Sequence, residues 1–141
     1  GEVMDALPAW QVAAGHFVVA DVDGARTLCL KAERQGKDHV NHFLVPLEPL
    51  PPPDRLGLLY LDPEQPLLPT EGYGFSFDPA TGREAGIGDA IALDGGQVWL
   101  KLRDAASSQR LFCYVELTSG RVRPRLERHR HQLLRWWITR I

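Results

Sequence analysis

Apolar side chains recur at every second position in short runs along this chain, and most runs stop at a turn built on glycine or aspartate. That alternation is the period of a pleated strand, whose successive side chains point to opposite faces. His16 to Val22 is rich in β-branched residues and meets Asp23-Gly24. This dipeptide suits a type I′ hairpin turn, because glycine accepts positive φ at no steric cost. The returning run, Arg26 to Ala32, sets Leu28, Leu30 and Ala32 on one face and Thr27, Cys29 and Lys31 on the other. His39 to Leu47 reads as a third strand. Further along, Tyr73, Phe75 and Phe77 alternate with Gly74, Ser76 and Asp78 before a turn that ends at Gly82. Asp89 to Leu93 turns at Asp94-Gly95-Gly96 into Gln97 to Arg103. Arg110 to Leu117 turns at Thr118-Ser119-Gly120 into Arg121 to Arg123. The pattern predicts a mainly-β fold, an antiparallel barrel or sandwich of about eight to ten short strands. Strands alternating with long helical stretches, which would mark a parallel α/β sheet, are missing from the pattern.

Eight prolines fall between Pro46 and Pro69. Proline has no N–H to give to a central ladder, so this stretch is expected as an extended connection or sheet edge. Leu56 to Leu61 forms a short strand within it on this reading. Dividing the chain here would leave two halves too small for a comfortable core, so residues 1–141 are read as a single domain.

After Pro124 the pattern changes. Leu126, Leu133, Leu134, Trp137 and Ile141 fall near helical spacing with arginines on other faces, which predicts a C-terminal helix. Trp136-Trp137-Ile138-Thr139 is also good strand composition, so the last six residues have a β alternative. Charge is polarised too. Residues 121–141 carry seven arginines and one glutamate, a net +6, whereas the other 120 residues carry nine basic and seventeen acidic groups, a net −8.

The hairpin from Gln97 to Leu117 yields the candidate site. With its loop centred between Ala106 and Ser107, one face sets Val98 against Val115, Leu100 against Cys113 and Leu102 against Leu111. The other sets Trp99 against Tyr114, Lys101 against Phe112 and Arg103 against Arg110. Aromatic rings beside cations can stack planar groups and attract anions. The candidate binding residues are therefore Trp99, Lys101, Phe112 and Tyr114, with Arg128, Arg135 and Trp136 extending the surface. If the C-terminal segment covers that face, the same aromatics become a second core layer.

Other chemistry leaves little trace. Gly-x-Ser-x-Gly, phosphate-binding glycine-lysine and His-Glu-x-x-His motifs are all missing. The pairs His39/His42 and His129/His131 lack a carboxylate or cysteine at ligand spacing, so neither a metal site nor a cofactor is expected. Cys29 and Cys113 are expected as reduced thiols packed as small apolar groups. No apolar run approaches the ~20 residues that span a bilayer, and the first residues do not resemble a secretory signal, so a soluble, cytoplasmic chain is expected.

The leading expectation is a non-enzymatic binding or protein-interaction module. Its partner would be another protein or a second copy; an anionic ligand or nucleic acid also suits the cations. Two other classes stay open. One is an enzyme with a small-molecule pocket in the barrel mouth, using His16, His39 or His42 with a nearby carboxylate. The other is a structural subunit that self-associates through the C-terminal segment.

Overall fold

The computed structural model describes residues 5–105, 107, 109, 111–127 and 131–141. Among them are twelve strands: β1 (Leu7–Pro8), β2 (Phe17–Val22), β3 (Ala25–Gln35), β4 (Val40–Glu48), β5 (Leu59–Leu61), β6 (Pro66–Pro69), β7 (Tyr73–Pro79), β8 (Ala90–Leu93), β9 (Val98–Arg103), β10 (Phe112–Glu116), β11 (Val122–Arg123) and β12 (His131–Arg140). Two single 3₁₀ turns, Ala9–Gln11 and Pro53–Arg55, are the helical elements among the described residues. The strands form two six-stranded sheets, ordered β1-β6-β2-β3-β4-β5 and β11-β10-β9-β8-β12-β7. All strand pairings within them are antiparallel.

The alternation along β3 explains how the sheets stack. Leu30 and Ala32 enter a core shared with Phe43, Val45, Leu56 and Leu58 and with Leu100, Leu102, Cys113, Val115 and Val122 of the second sheet. Cys29 points the other way, into a second core with Val18, Ala20, Leu44, Leu61 and Leu67, closed by Ala9 and Val12. Residues of β2 to β6 converge in that second core, so the first sheet is curled around it as a half-barrel. Both faces of β3 are consequently buried. Prolines confine the partners of the half-barrel to short strands: β6 begins at Pro66 and ends at Pro69, where a missing N–H costs the ladder little.

Backbone hydrogen bonds also stitch the sheets together. Glu33 N–H donates to the Gly120 carbonyl at 2.9 Å, and Arg103 N–H donates to the Leu56 carbonyl at 2.9 Å. Gly120 has to be glycine: its φ is +69°, and a Cβ there would meet the Gly15 nitrogen and lie 2.6 Å from the Lys31 carbonyl oxygen.

Three expectations need correction. The C-terminal helix is not formed, and no α-helix occurs among the described residues. Residues 131–140 are instead strand β12, because β7 and β8 both need a partner that only this segment supplies. Its first residues pair with β8 from His131↔Leu93 to Leu134↔Ala90, and the rest pair with β7 from Leu134↔Pro79 to Arg140↔Tyr73. Trp136 and Ile138 face the shared core, and Trp137 faces out with 43% of its surface exposed. The strand count exceeds eight to ten, partly because β1 and β11 are only two residues long. The β9–β10 register is shifted by two residues, pairing Arg103 with Phe112, Lys101 with Tyr114 and Trp99 with Glu116. A two-residue shift changes the cross-strand partners but leaves the side chains of β9 and β10 on their faces. Leu111, expected against Leu102, instead precedes β10 and is 83% exposed, and Arg110 lies outside the described residues.

No helix among the described residues is long and apolar enough to cross a membrane.

Candidate functional site

The outer face of the second sheet is built in rows. Ile91, Trp99 and Glu116 form one row, and Lys101, Tyr114 and Arg123 the next. Trp99 is only 2% exposed. It lies between Ile91 and Glu116, with the Arg123 guanidinium 5.9 Å from its ring centroid. It therefore forms the floor of this face and presents no open ring to a ligand.

Lys101, Tyr114 and Phe112 stand higher. The Lys101 ammonium donates to the Ala85 carbonyl at 3.1 Å and sits 4.1 Å from the centroid of the Phe112 ring. Lys101 makes no carboxylate ion pair among the described residues. Phe112 is 39% exposed and meets Tyr114 edge-on at 5.9 Å between centroids. Burial pushes the Tyr114 phenol above its ordinary pKa, with a smaller push from Cys113, so the hydroxyl remains a proton donor at neutral pH.

One wall comes from the turn between β7 and β8. Arg83 grips Asp89 with both guanidinium nitrogens, one at 2.9 Å from Oδ1. Asp89 also accepts the Gly86 N–H at 2.7 Å. The hydrogen bond from Arg83 holds the Asp89 carboxyl below the usual carboxylate range, against the opposing effect of burial. The same segment is tied to β9, since Gly88 N–H donates to the Lys101 carbonyl at 2.8 Å.

These parts enclose a hollow of about 380 Å³ lined by Arg83, Glu84, Ala85, Ile91, Lys101, Tyr114, His131 and Leu133. A second hollow of about 380 Å³ is lined by Leu111, Phe112, Pro124 and Arg125. Leu111 is 83% exposed there. The first hollow offers the Lys101 ammonium, the Arg83 guanidinium, the Glu84 carboxylate, the Tyr114 phenol and the His131 imidazole; the second is mostly apolar. Phe112, Lys101 and Tyr114 stand between them.

The other sequence-derived candidates are placed elsewhere. Arg135 lies on the outer face of β12, where it pairs with Asp78 at 3.3 Å and lines neither hollow. Trp136 faces the shared core, packs edge-on against Phe75 and donates its indole N–H to the Gly88 carbonyl at 2.7 Å. Arg128 lies outside the described residues, as does His129 of the histidine pair. Arg83, Ile91, His131 and Leu133 belong to the hollow without having been candidates. His131 was legible only if β12 had been read as a strand, and no motif joins Arg83 to Asp89.

A second cluster of ionisable groups lies in the half-barrel. Lys31 is fully buried, and its ammonium donates to the Val12 carbonyl at 3.0 Å, to Glu33 Oε1 at 2.8 Å and to His42 Nδ1 at 2.9 Å. All three of its donors are thus used. His42 Nδ1 must accept, which places its ring proton on Nε2. Burial lowers the His42 pKa, Lys31 lowers it further, and Glu33 at 3.6 Å opposes them. This brings His42 beside a carboxylate, whereas the His16 and His39 side chains are exposed; His16 meets the cluster through its carbonyl, which accepts the Lys31 backbone N–H at 2.9 Å. Among the described residues no three His, Cys, Asp or Glu side chains converge to hold a metal ion. Comparison with family models, with curated proteins and with solved structures finds no match to this chain.

Proposed function

We propose that this chain is a binding module, and that the outer face of its second sheet takes a partner segment bearing an acidic group next to an apolar side chain. The observation that carries the reading is the Lys101–Phe112–Tyr114 group, which stands where a polar hollow with an ammonium donor left free among the described residues lies beside an apolar one. A half-buried ammonium whose hydrogen bond goes to one backbone carbonyl, and whose carboxylate neighbour Asp89 is already gripped by Arg83, gains from a ligand anion. The Tyr114 hydroxyl can donate a second hydrogen bond to the same group. Leu111 and Phe112 offer the ligand's apolar side chain a place to leave water. Two adjacent wells of opposite character fit a peptide better than a bare inorganic anion, which would fill only one of them.

The Lys31–Glu33–His42 cluster supports an enzyme less well. Its ammonium carries no lone pair, all its protons are committed, and it has no surface exposed to a substrate.

Selection from a displayed random-peptide library on the immobilised chain tests the proposal. The expected result is enrichment of peptides with Asp or Glu next to Leu, Phe or Trp. Their affinity should fall about tenfold in Lys101→Ala, the worth of one charge-assisted hydrogen bond. Absence of enrichment, or selected peptides that bind Lys101→Ala and Tyr114→Ala as tightly as the wild type, would overturn it.

A further inference from the structure

A separate cleft of about 340 Å³ opens at the tip of the β2–β3 hairpin, and it shares no lining residue with the two hollows of the outer face. We propose that this cleft binds a small apolar monocarboxylate, such as a medium-chain fatty acid, with Arg55 and Arg103 receiving the carboxylate. Pro46, Pro49 and Pro51 line one side, and Leu58 and Leu59 another. The proline-rich stretch thus acquires a use beyond connecting strands. Proline has no N–H, so a wall of prolines can be covered by hydrocarbon without leaving an amide donor unpaired. Across from it stand Val22 and Ala25 of the hairpin, again apolar.

The charge in the cleft decides the ligand class. Arg55 and Arg103 both line it, both are exposed, and neither makes an ion pair with a carboxylate among the described residues. Asp23 is the one acidic residue among those that line it. Two guanidiniums against one carboxylate leave one positive charge to be met. A planar guanidinium fork matches a carboxylate in two parallel hydrogen bonds. A volume near the lower end of the small-molecule range suits a chain of roughly eight carbons rather than a large cofactor.

The test titrates octanoate, and in parallel octan-1-ol, into the ¹⁵N-labelled full chain and follows backbone amide shifts. The expected result is saturable shifts at Ala25, Gly57 and Leu58, with octanoate binding at least about tenfold tighter than the alcohol. The double variant Arg55→Gln/Arg103→Gln, altered only at exposed positions, should bring octanoate down to the alcohol's affinity and leave alcohol binding unchanged. Equal affinity for acid and alcohol in the wild type, octanoate binding that survives the double variant, or shifts confined to other parts of the chain would each overturn the proposal. The cleft shares no lining residue with the two hollows of the outer face, but Arg103 pairs with Phe112 across β9 and β10. The single variant Arg55→Gln therefore separates the two sites, weakening octanoate binding while leaving peptide binding at Lys101 unchanged.

Discussion

Replacing Lys31 with methionine keeps most of the side-chain volume but removes a buried ammonium with its three hydrogen bonds. The Val12 carbonyl then loses its side-chain donor, and a buried acceptor left unmet costs about 1–3 kcal/mol. Removing one partner of a buried ion pair costs roughly 3–5 kcal/mol where the survivor stays dry. Glu33 is 31% exposed and can take water, so its share is smaller. The sum is a loss of about 2–4 kcal/mol, or roughly 6–14 °C in Tm for a chain of this size. The effect should also depend on pH. In the wild type the folded His42 pKa lies below its unfolded value. Below about pH 6.5 the unfolded chain therefore takes up a proton that the folded chain resists, and stability falls with falling pH. Lys31→Met removes the ammonium that lowers the His42 pKa and leaves Glu33 to raise it. The stability gap between wild type and variant should thus narrow from pH 7.5 to pH 5.5. Urea unfolding followed by tryptophan fluorescence at both pH values measures it. A gap under about 1 kcal/mol at pH 7.5, or one that widens on acidification, would refute the reasoning.

Trp99→Ala should cost about 3–5 kcal/mol in the same assay, because the ring is buried beneath Arg123; an unchanged Tm would mean that the ring is free for a ligand. Gly120→Ala should cost about 3 kcal/mol or more, since it combines a positive φ with a clash against backbone at the junction of the two sheets. Thermal denaturation that matches the wild type would show that the junction is loose. The Cys29 thiol, pushed up to about 12 by burial, should resist alkylation by iodoacetamide at pH 8 in the native chain and react after unfolding in urea. Rapid native labelling at Cys29 in a mass-mapped digest would contradict that.

Much of the architecture was legible because hairpin chemistry is local. Asp23-Gly24 joins β2 to β3 with both residues at positive φ, and Asp94-Gly95-Gly96 joins β8 to β9. The alternation on β9 and β10 separated Leu100, Leu102, Cys113 and Val115 from Lys101, Phe112 and Tyr114 although the register was off by two. The C-terminal segment misled because Leu126, Leu133, Leu134, Trp137 and Ile141 match a helical period by chance. The inward pair Trp136 and Ile138, alternating with Arg135, Trp137 and Thr139, carries the strand signal. What decided between them was the demand of β7 and β8 for a partner, which is a tertiary effect. Lys31 was hidden for a related reason. Its alternation put it opposite Leu30, as though facing water, and that side becomes a second interior because β2 to β6 curl around it and the N-terminal residues Ala9 and Val12 close it. Arg83 and Asp89 meet across a turn whose path no local rule specifies.

The claim on which the functional account rests is that a partner sits across Lys101, Phe112 and Tyr114. Intermolecular NOEs in a complex with an isotope-labelled, selected peptide would test it most directly. The account predicts contacts from the peptide's apolar side chain to the Phe112 ring and Leu111, and from protons adjoining its carboxylate to Lys101 Hε and the Tyr114 ring. Contacts that fall elsewhere, with the Phe112 and Tyr114 rings untouched, would contradict it.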